Sequence, residues 1–333
     1  MREYELEVLE QYEIEVKGTR KIRGAFFCEA KEGTMLLKEA DVSDRRAPLL
    51  YTVLHNLEEE GCFHVDTPIF NKEGNLISES RDGSRYMLKK WYSGRECDVK
   101  REYEILQACR NLAELHSKMK WKAIKDTKGM HPPVGRHLRE EFLSHNRELK
   151  KVRTFMRNRV SKGAFEFLLL EYFQQMYTLA ERVTKRLEES EYDNLYQKSI
   201  ENQSLVHGDY NYHNILFTQK GIATTNFEHF RVDVQVQDLY YFLRKVMEKY
   251  QWQENLGKAM LDAYQSVRPL DSGELEYIAL CLAYPEKFWK TANTYYHSNK
   301  AWIPEKNVKK LQMTIAQTEE RLRFLENIFT FIL

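Results

Sequence analysis

From His207 to Leu216 the chain reads His-Gly-Asp-Tyr-Asn-Tyr-His-Asn-Ile-Leu, which sets Asp209 and Asn214 five residues apart. An aspartate here can accept the proton of an attacking hydroxyl, and an asparagine at that distance can hold a metal ion on phosphate oxygens. Phosphoryl transfer asks a catalytic loop for that division of labour. The flanks hold the loop in place: Ser204-Leu205-Val206 enters as a short apolar strand and Ile215-Leu216-Phe217 leaves as another. The His-Gly-Asp lead-in and the spacing set the stretch apart from an ordinary polar turn.

The chain that must position this loop has 333 residues, enough for two lobes with separate cores. At 42% hydrophobic and 13% aromatic residues it has the material for those cores, which excludes disorder. Basic and acidic residues number 51 and 50, so the global charge points to neither nucleic acid nor membrane. Cys28, Cys62, Cys97, Cys109 and Cys281 are scattered, with no Cys-x-x-Cys spacing, as expected of free thiols in a reducing compartment. The acidic start Met1-Arg2-Glu3-Tyr4-Glu5 lacks an apolar signal core, and runs such as Phe167 to Leu170 are far short of a membrane span. The expectation is a soluble intracellular protein.

Leu6, Leu9, Tyr12 and Val16 share helical spacing and predict an opening helix. Ala25 to Glu29 and Met35 to Lys38 flank Lys31-Glu32-Gly33 as a hairpin, with Lys38 ending its second strand. A helix is predicted from Arg46 to Glu60, with Leu50, Val53, Leu54 and Leu57 on one face and Gly61 as its stop. Short strands follow at Val65 to Ile69 and Leu76 to Ser78 about Gly74, then a strand from Tyr86 to Trp91 that ends at Ser93-Gly94. A small antiparallel sheet carrying one helix would fill residues 1–92, and a larger, mostly helical lobe residues 93–333.

Helical stripes run through Ile105, Cys109, Leu112 and His116, and through Phe165 to Leu187. The basic stretch from Lys122 to Arg139, broken by Pro132-Pro133 and Gly135, is read as a solvated loop. Ile222 to Thr225 is another strand, and Asp238 is expected to cap the helix that follows. Pro285 opens a helix with Tyr284, Phe288, Ala292 and Tyr295 on one side. Val308, Leu311, Ile315, Leu322, Leu325 and Phe329 keep heptad-like spacing broken by Thr318, as in an amphipathic helix packed on its own domain.

Lys38 on its strand, the crossing near Gly94, Leu112-Ala113-Glu114-Leu115-His116, the 207–216 loop and the Asp238-Leu239 helix start together resemble the aminoglycoside and choline kinase-like family. The resemblance covers nearly the whole chain. Tyr212-His213-Asn214, and Tyr284-Pro285-Glu286-Lys287-Phe288-Trp289-Lys290 with Tyr295-Tyr296 and Trp302, look like the CotS-type spore-coat branch of endospore-forming bacteria. The resemblance implies an α+β, two-lobed protein-kinase-like fold. It makes Asp209 the catalytic base, Asn214 a metal ligand, and Lys38 the nucleotide-phosphate lysine. Lys90 and Trp91 become the interlobe segment that contacts adenine, Asp238 an anchor for the catalytic loop, and His207 a buried brace. ATP and Mg²⁺ are the implied cofactors if the protein is active. The implied location is the mother-cell cytoplasm, then the spore coat.

The sequence departs from the family where an Ile-Asp-Phe-Asp segment should supply the metal-binding aspartate. Here residues 225–228 read Thr-Asn-Phe-Glu, so Asn226 brings a carbonyl oxygen without charge. Losing a hard anionic ligand is expected to cost on the order of a hundred-fold or more in rate. Glu228 would compensate if the segment stays extended, because alternate residues of a strand share a face. No G-x-G-x-x-G marks the first hairpin, and Leu50 stands where a glutamate should orient Lys38, which leaves Lys38 with Asp41, Asp44 or no partner.

The reading favoured is a weak or inactive phosphotransferase that serves as a scaffold in coat assembly, with a nucleotide, a small metabolite or other coat proteins as partners. The alternative is an active small-molecule kinase using Asp209 with Asn214, Asn226 and Glu228 around magnesium. Nucleic-acid binding through Lys287, Trp289, Lys290, Tyr295, Tyr296, Lys300 and Trp302 is a third option, set aside because Phe288, Ala292 and Tyr295 fit a helix core better.

Overall fold

The computed structural model describes residues 7–22, 24–60, 63–125, 127, 129–298 and 305–333. The chain divides into two compact units. One comprises Met1–Val134, Ser199–Phe242 and Ala263–Arg268; the other comprises Gly135–Lys198, Leu243–Asp262 and Pro269–Leu333.

In chain order the first unit opens with β1 (Val16–Ile22), β2 (Ala25–Ala30), β3 (Gly33–Glu39), α1 (Arg46–Glu59), β4 (His64–Val65), β5 (Ser78–Glu79) and β6 (Arg85–Lys90). Five of these strands form an antiparallel sheet in the order β1-β2-β3-β6-β5. One face of it buries Phe26, Cys28, Leu37 and Leu88 against Val8, Leu9 and Tyr12. That packing explains a correction at the start of the chain: the helix is over by Leu9, and Val16 belongs to a strand the periodicity did not reveal. Leu6 lies outside the described residues.

The hairpin β2–β3 forms as predicted, and Leu50, Val53, Leu54 and Leu57 are the buried face of α1. Gly61, the expected stop, lies outside the described residues, as does Cys62. The strands expected at Val65 to Ile69 and Leu76 to Ser78 shrink to two residues each. The cause is local: Asn71 Oδ1 accepts from the backbone amides of Glu73 and Asn75, which replaces strand with a side-chain-stabilised turn.

The unit continues with β7 (Gly94–Glu96), α2 (Glu102–Lys118), β8 (Leu205–Val206), β9 (Ile215–Thr218), β10 (Gly221–Thr224) and β11 (Arg231–Val232). A second sheet runs β4-β10-β9-β7, with β4 parallel to β10 and the other pairs antiparallel. Strands β8 and β11 pair alone. Cys28, Cys97 and Cys109 are free and buried, and burial pushes all three thiols up, so they are packing rather than reactive groups.

The other helices are α3 (Leu138–Asn158), α4 (Ala164–Glu188), α5 (Tyr192–Glu201), α6 (Val236–Met247), α7 (Glu254–Gln265), α8 (Ser272–Ala283), α9 (Glu286–His297), α10 (Glu305–Ala316) and α11 (Thr318–Phe329). The core of the second unit joins α3, α4, α9 and α10 through Leu149, Phe165, Phe173, Phe288, Ala292 and Leu311. The single heptad run is instead two helices that meet at Gln317. Thr318 is buried, its hydroxyl donates to the Thr314 carbonyl, and Phe324 rather than Leu322 sits deep, against Gly257. Among the described residues no helix is long and apolar enough to cross a membrane.

Candidate phosphotransferase site

The 207–216 loop hangs from β8 and β9 as the sequence requires, and a network of short polar bonds fixes it. Asp238 is in the first turn of α6 rather than at its cap. Its carboxylate accepts from the backbone amides of His207 at 2.6 Å and Gly208 at 2.9 Å, and meets His116 Nε2 at 3.2 Å. Burial opposes the Asp238 charge, but His116 and the amide donors outweigh it and hold the carboxyl below its usual range. The acid therefore anchors the loop backbone instead of capping its own helix.

His207 is fully buried. Its Nε2 faces the Thr225 carbonyl at 3.0 Å and its Nδ1 accepts from the Asp209 amide at 3.1 Å, a pattern that calls for the Nε2–H tautomer. Gly208 has a φ of +84°, and a Cβ there would stand 2.3 Å from the His229 carbonyl oxygen. Only glycine fits that approach.

Within the loop, Asn214 Nδ2 donates to the Asp209 carbonyl and to Asp209 Oδ2, both at 2.9 Å, and Asn211 Nδ2 reaches Asp209 Oδ1 at 3.1 Å. The structure brings Asn226 to the same place: its Nδ2 donates to Asn214 Oδ1 at 2.7 Å. Asn226 adopts the left-handed conformation, φ 65° and ψ 54°, and residues 227–229 form a turn of 3-10 helix. The extended segment assumed for Glu228 is thus not formed, and the strand alternation that would set Glu228 beside Asn226 does not apply.

Glu228 meets a lysine that the sequence reading passed over. Lys89 is 1% exposed, and its Nζ lies 2.5 Å from Glu228 Oε1 and 3.0 Å from Asp66 Oδ2. Asp66 Oδ2 also accepts from the Asn226 backbone amide at 2.9 Å. Burial would raise the Glu228 carboxyl, yet Lys89 and Lys38 hold it down at about 2, whereas burial prevails at Asp66 and pushes that carboxyl up. Lys89 keeps its charge because both acids face it, although burial works against it. Arg46, at the start of α1, donates to the carbonyls of Glu228 at 2.9 Å and Phe230 at 2.5 Å.

Strand register explains which lysines gather. Leu36 pairs with Lys89 and Lys38 with Met87, so Lys38 and Lys89 project from one face of the sheet. Lys38 is 3.1 Å from Asp41, the first of its expected partners, and 3.9 Å from Glu228; Asp44 pairs with Arg85 instead. Lys90 projects from the opposite face and pairs with Glu58 at 2.8 Å. Trp91 meets Phe27 edge-on at 5.6 Å and lines a cavity of about 520 Å³ with Gly18, Phe27 and Leu216. Lys89 could have been suspected from its place beside Leu88 in a strand buried on both faces, where a lysine must be paired.

A five-stranded antiparallel sheet with one helix, a pinned His-Gly-Asp loop and an asparagine five residues on define a kinase-like protein with an α+β, aminoglycoside phosphotransferase-like fold. The solved structure of an aminoglycoside phosphotransferase from Alicyclobacillus acidocaldarius superposes with a TM-score of 0.84 at 18% identity, over 98% of this chain and 95% of that one. Spectinomycin phosphotransferase, solved with ADP and spectinomycin, gives a TM-score of 0.66 at 12% identity over 96% of this chain and 98% of its own. The family described as "Spore coat putative kinase YutH" matches residues 5–328, and the chain belongs to that family. It is also 22% identical over 319 residues to spore coat protein S of Bacillus subtilis, covering 95% of this chain and 89% of that protein.

Proposed function

We propose that this spore-coat kinase-family protein is a weak or inactive phosphotransferase that acts as a binding scaffold in endospore-coat assembly, first in the mother-cell cytoplasm and then in the coat. Support comes above all from the Lys89–Glu228 ion pair. Magnesium asks for hard, mostly anionic oxygens in near-octahedral array. Three of the oxygens near it already take N–H donors: Asn214 Oδ1 from Asn226, Asp66 Oδ2 from Lys89 and the Asn226 amide, and Glu228 Oε1 from Lys89; the buried Asp66 Oδ1 takes none. Among the described residues no group of three or more His, Cys, Asp or Glu side chains could hold a metal. This set of oxygens does not fit the mostly anionic, octahedral shell of a magnesium ion. A nucleotide or small metabolite would rest against Trp91 and Phe27, in a cavity that Arg20 also lines, and the family resemblance assigns Lys38 to its phosphates.

The second reading, an ATP-dependent kinase acting on a hydroxyl compound, draws on the Asp209–Asn214 geometry, which is suited to a base beside phosphate. Calorimetric titration with ADP, in magnesium and in EDTA, together with ATP turnover over a panel of hydroxyl compounds, separates the two. The scaffold reading expects little or no turnover and nucleotide binding indifferent to EDTA. Robust turnover that disappears in Asp209→Ala would overturn it.

A further inference from the structure

The second unit carries a local charge imbalance that the near-neutral whole chain conceals. From Arg147 to Lys162, along the C-terminal half of α3 and the turn beyond it, seven residues are basic and only Glu148 is acidic. Part of this charge is used internally. Arg159 pairs with Glu166, Arg153 lies over the Phe173 ring, and Lys150 stands at 3.9 Å from Glu181. Glu148 is likewise engaged, accepting from Trp289 Nε1. Lys151 and Arg157 are exposed, and among the described residues neither has an acidic partner. Interleaved with them are exposed apolar side chains: Phe155 at 43%, Tyr296 at 38% and Val160 fully open. Lys150, Lys151, Thr154, Phe155 and Tyr296 line an open cleft of about 630 Å³.

We propose that this cleft docks an acidic polypeptide segment that carries an aromatic or aliphatic side chain. The cations supply attraction and orientation, and the ring pair supplies an apolar seat. A second copy of the chain is a poor occupant, because a two-fold contact through this face would set like charges against each other. A nucleic acid is disfavoured by the ring geometry. Phe155 meets Tyr296 edge-on at 5.2 Å and 89°, and the Arg159 guanidinium stands 6.0 Å from the Phe155 ring centre. Base stacking needs an open ring face, whereas a peptide side chain can pack against an edge.

Fluorescence anisotropy on the full chain tests this with a labelled Glu-rich peptide containing Phe, an all-Glu peptide, an oligothymidylate and phosphatidylglycerol vesicles. The Phe-bearing peptide is expected to bind most tightly, with affinity that falls as salt rises. The double variant Lys151→Glu/Arg157→Glu should lose about tenfold or more, and Phe155→Ser should weaken only the Phe-bearing peptide. Both variants change exposed side chains, so an unchanged melting temperature shows that the fold is intact. Equal binding by parent and charge-reversed protein, or tighter binding of oligothymidylate or vesicles than of peptide, overturns the proposal.

Discussion

The side-chain amide of Asn226 donates to the side-chain carbonyl of Asn214 across 2.7 Å, so the Asn214 oxygen expected to face a cation already takes an N–H. The bond is one link in a chain of contacts. Lys89 joins Glu228 and Asp66, Asp66 accepts from the Asn226 backbone, and Asn214 passes the connection to Asp209. Fixed N–H groups thereby engage Asn214 Oδ1, Asp66 Oδ2 and Glu228 Oε1. The loop keeps its shape because it is internally satisfied.

Replacing Asn226 with Asp tests that account directly. The change is nearly isosteric, but it removes the donor to Asn214 and turns a carboxylate oxygen toward a carbonyl oxygen. In metal-free buffer Asn226→Asp should lose about 1–3 kcal/mol of stability. Millimolar Mg²⁺ should restore most of it while leaving the parent's melting temperature unmoved. Scanning calorimetry of both proteins, with and without Mg²⁺, gives the answer; a variant indifferent to Mg²⁺ would mean that the amide pair does not stand in for a metal.

The Lys89 cluster makes a prediction about acid. The Glu228 carboxyl is held at about 2 in the folded protein, against 4.5 for an ordinary glutamate. A depressed carboxyl contributes stability that is fully present above its unfolded value and is lost as pH falls through the folded one. The window is therefore pH 4.5 down to 2, with a loss on the order of a few kcal/mol. Glu104, held at about 2 by Arg95 first of all, adds to the loss over the same window. In Glu228→Gln the stability measured by urea unfolding should fall less steeply across that window than in the parent. Equal slopes would remove Glu228 as a source of the acid sensitivity.

Much of the candidate site was legible because its determinants are local. His207 to Leu216 carries its strand flanks, glycine and polar side chains within ten residues, and the β2–β3 hairpin and α1 likewise declare themselves by turn and periodicity. What escaped depends on distant partners. Asp66 and Glu228 reach Lys89 from 23 and 139 residues away, and nothing in Leu88-Lys89-Lys90 says which lysine faces inward until Leu36 is known to pair with Lys89. The parallel pairing of β4 with β10 is equally non-local. Glu228 was misplaced for a backbone reason: an asparagine tolerates the left-handed conformation that ends the strand, and no periodicity reports it.

The loop anchor should be sensitive to single atoms. Asp238→Ala strands the buried amide of His207 and the partly buried amide of Gly208 and leaves His116 without its acid, a loss of about 3–5 kcal/mol by analogy with breaking a buried pair. Gly208→Ala forces a Cβ toward the His229 carbonyl in a conformation alanine resists, at about 1–3 kcal/mol. Chemical denaturation of the two variants should therefore show lower midpoints in both, with Asp238→Ala the more severe. Parent-like midpoints would mean that the loop is held elsewhere.

The two lysines that share a sheet face should separate by burial. Lys38 is 32% exposed and pairs at 3.1 Å with Asp41, itself 64% exposed, so solvent screens the contact and Lys38→Met should change stability by no more than about 1 kcal/mol. Lys89→Met leaves Asp66 and Glu228 buried together without a counter-ion and should cost about 3–5 kcal/mol near neutral pH. The pH response distinguishes charge from lost packing. Without Lys89 both carboxyls rise above their unfolded values, so the variant's deficit should shrink as pH falls through those raised values and the acids become neutral. A matched pair of urea titrations at neutral and mildly acidic pH measures this. A Lys89→Met deficit of the same size at both would show that the lysine acts through packing alone, and a Lys38→Met deficit as large as that of Lys89→Met would show that the exposed lysine, not the buried one, neutralises Glu228.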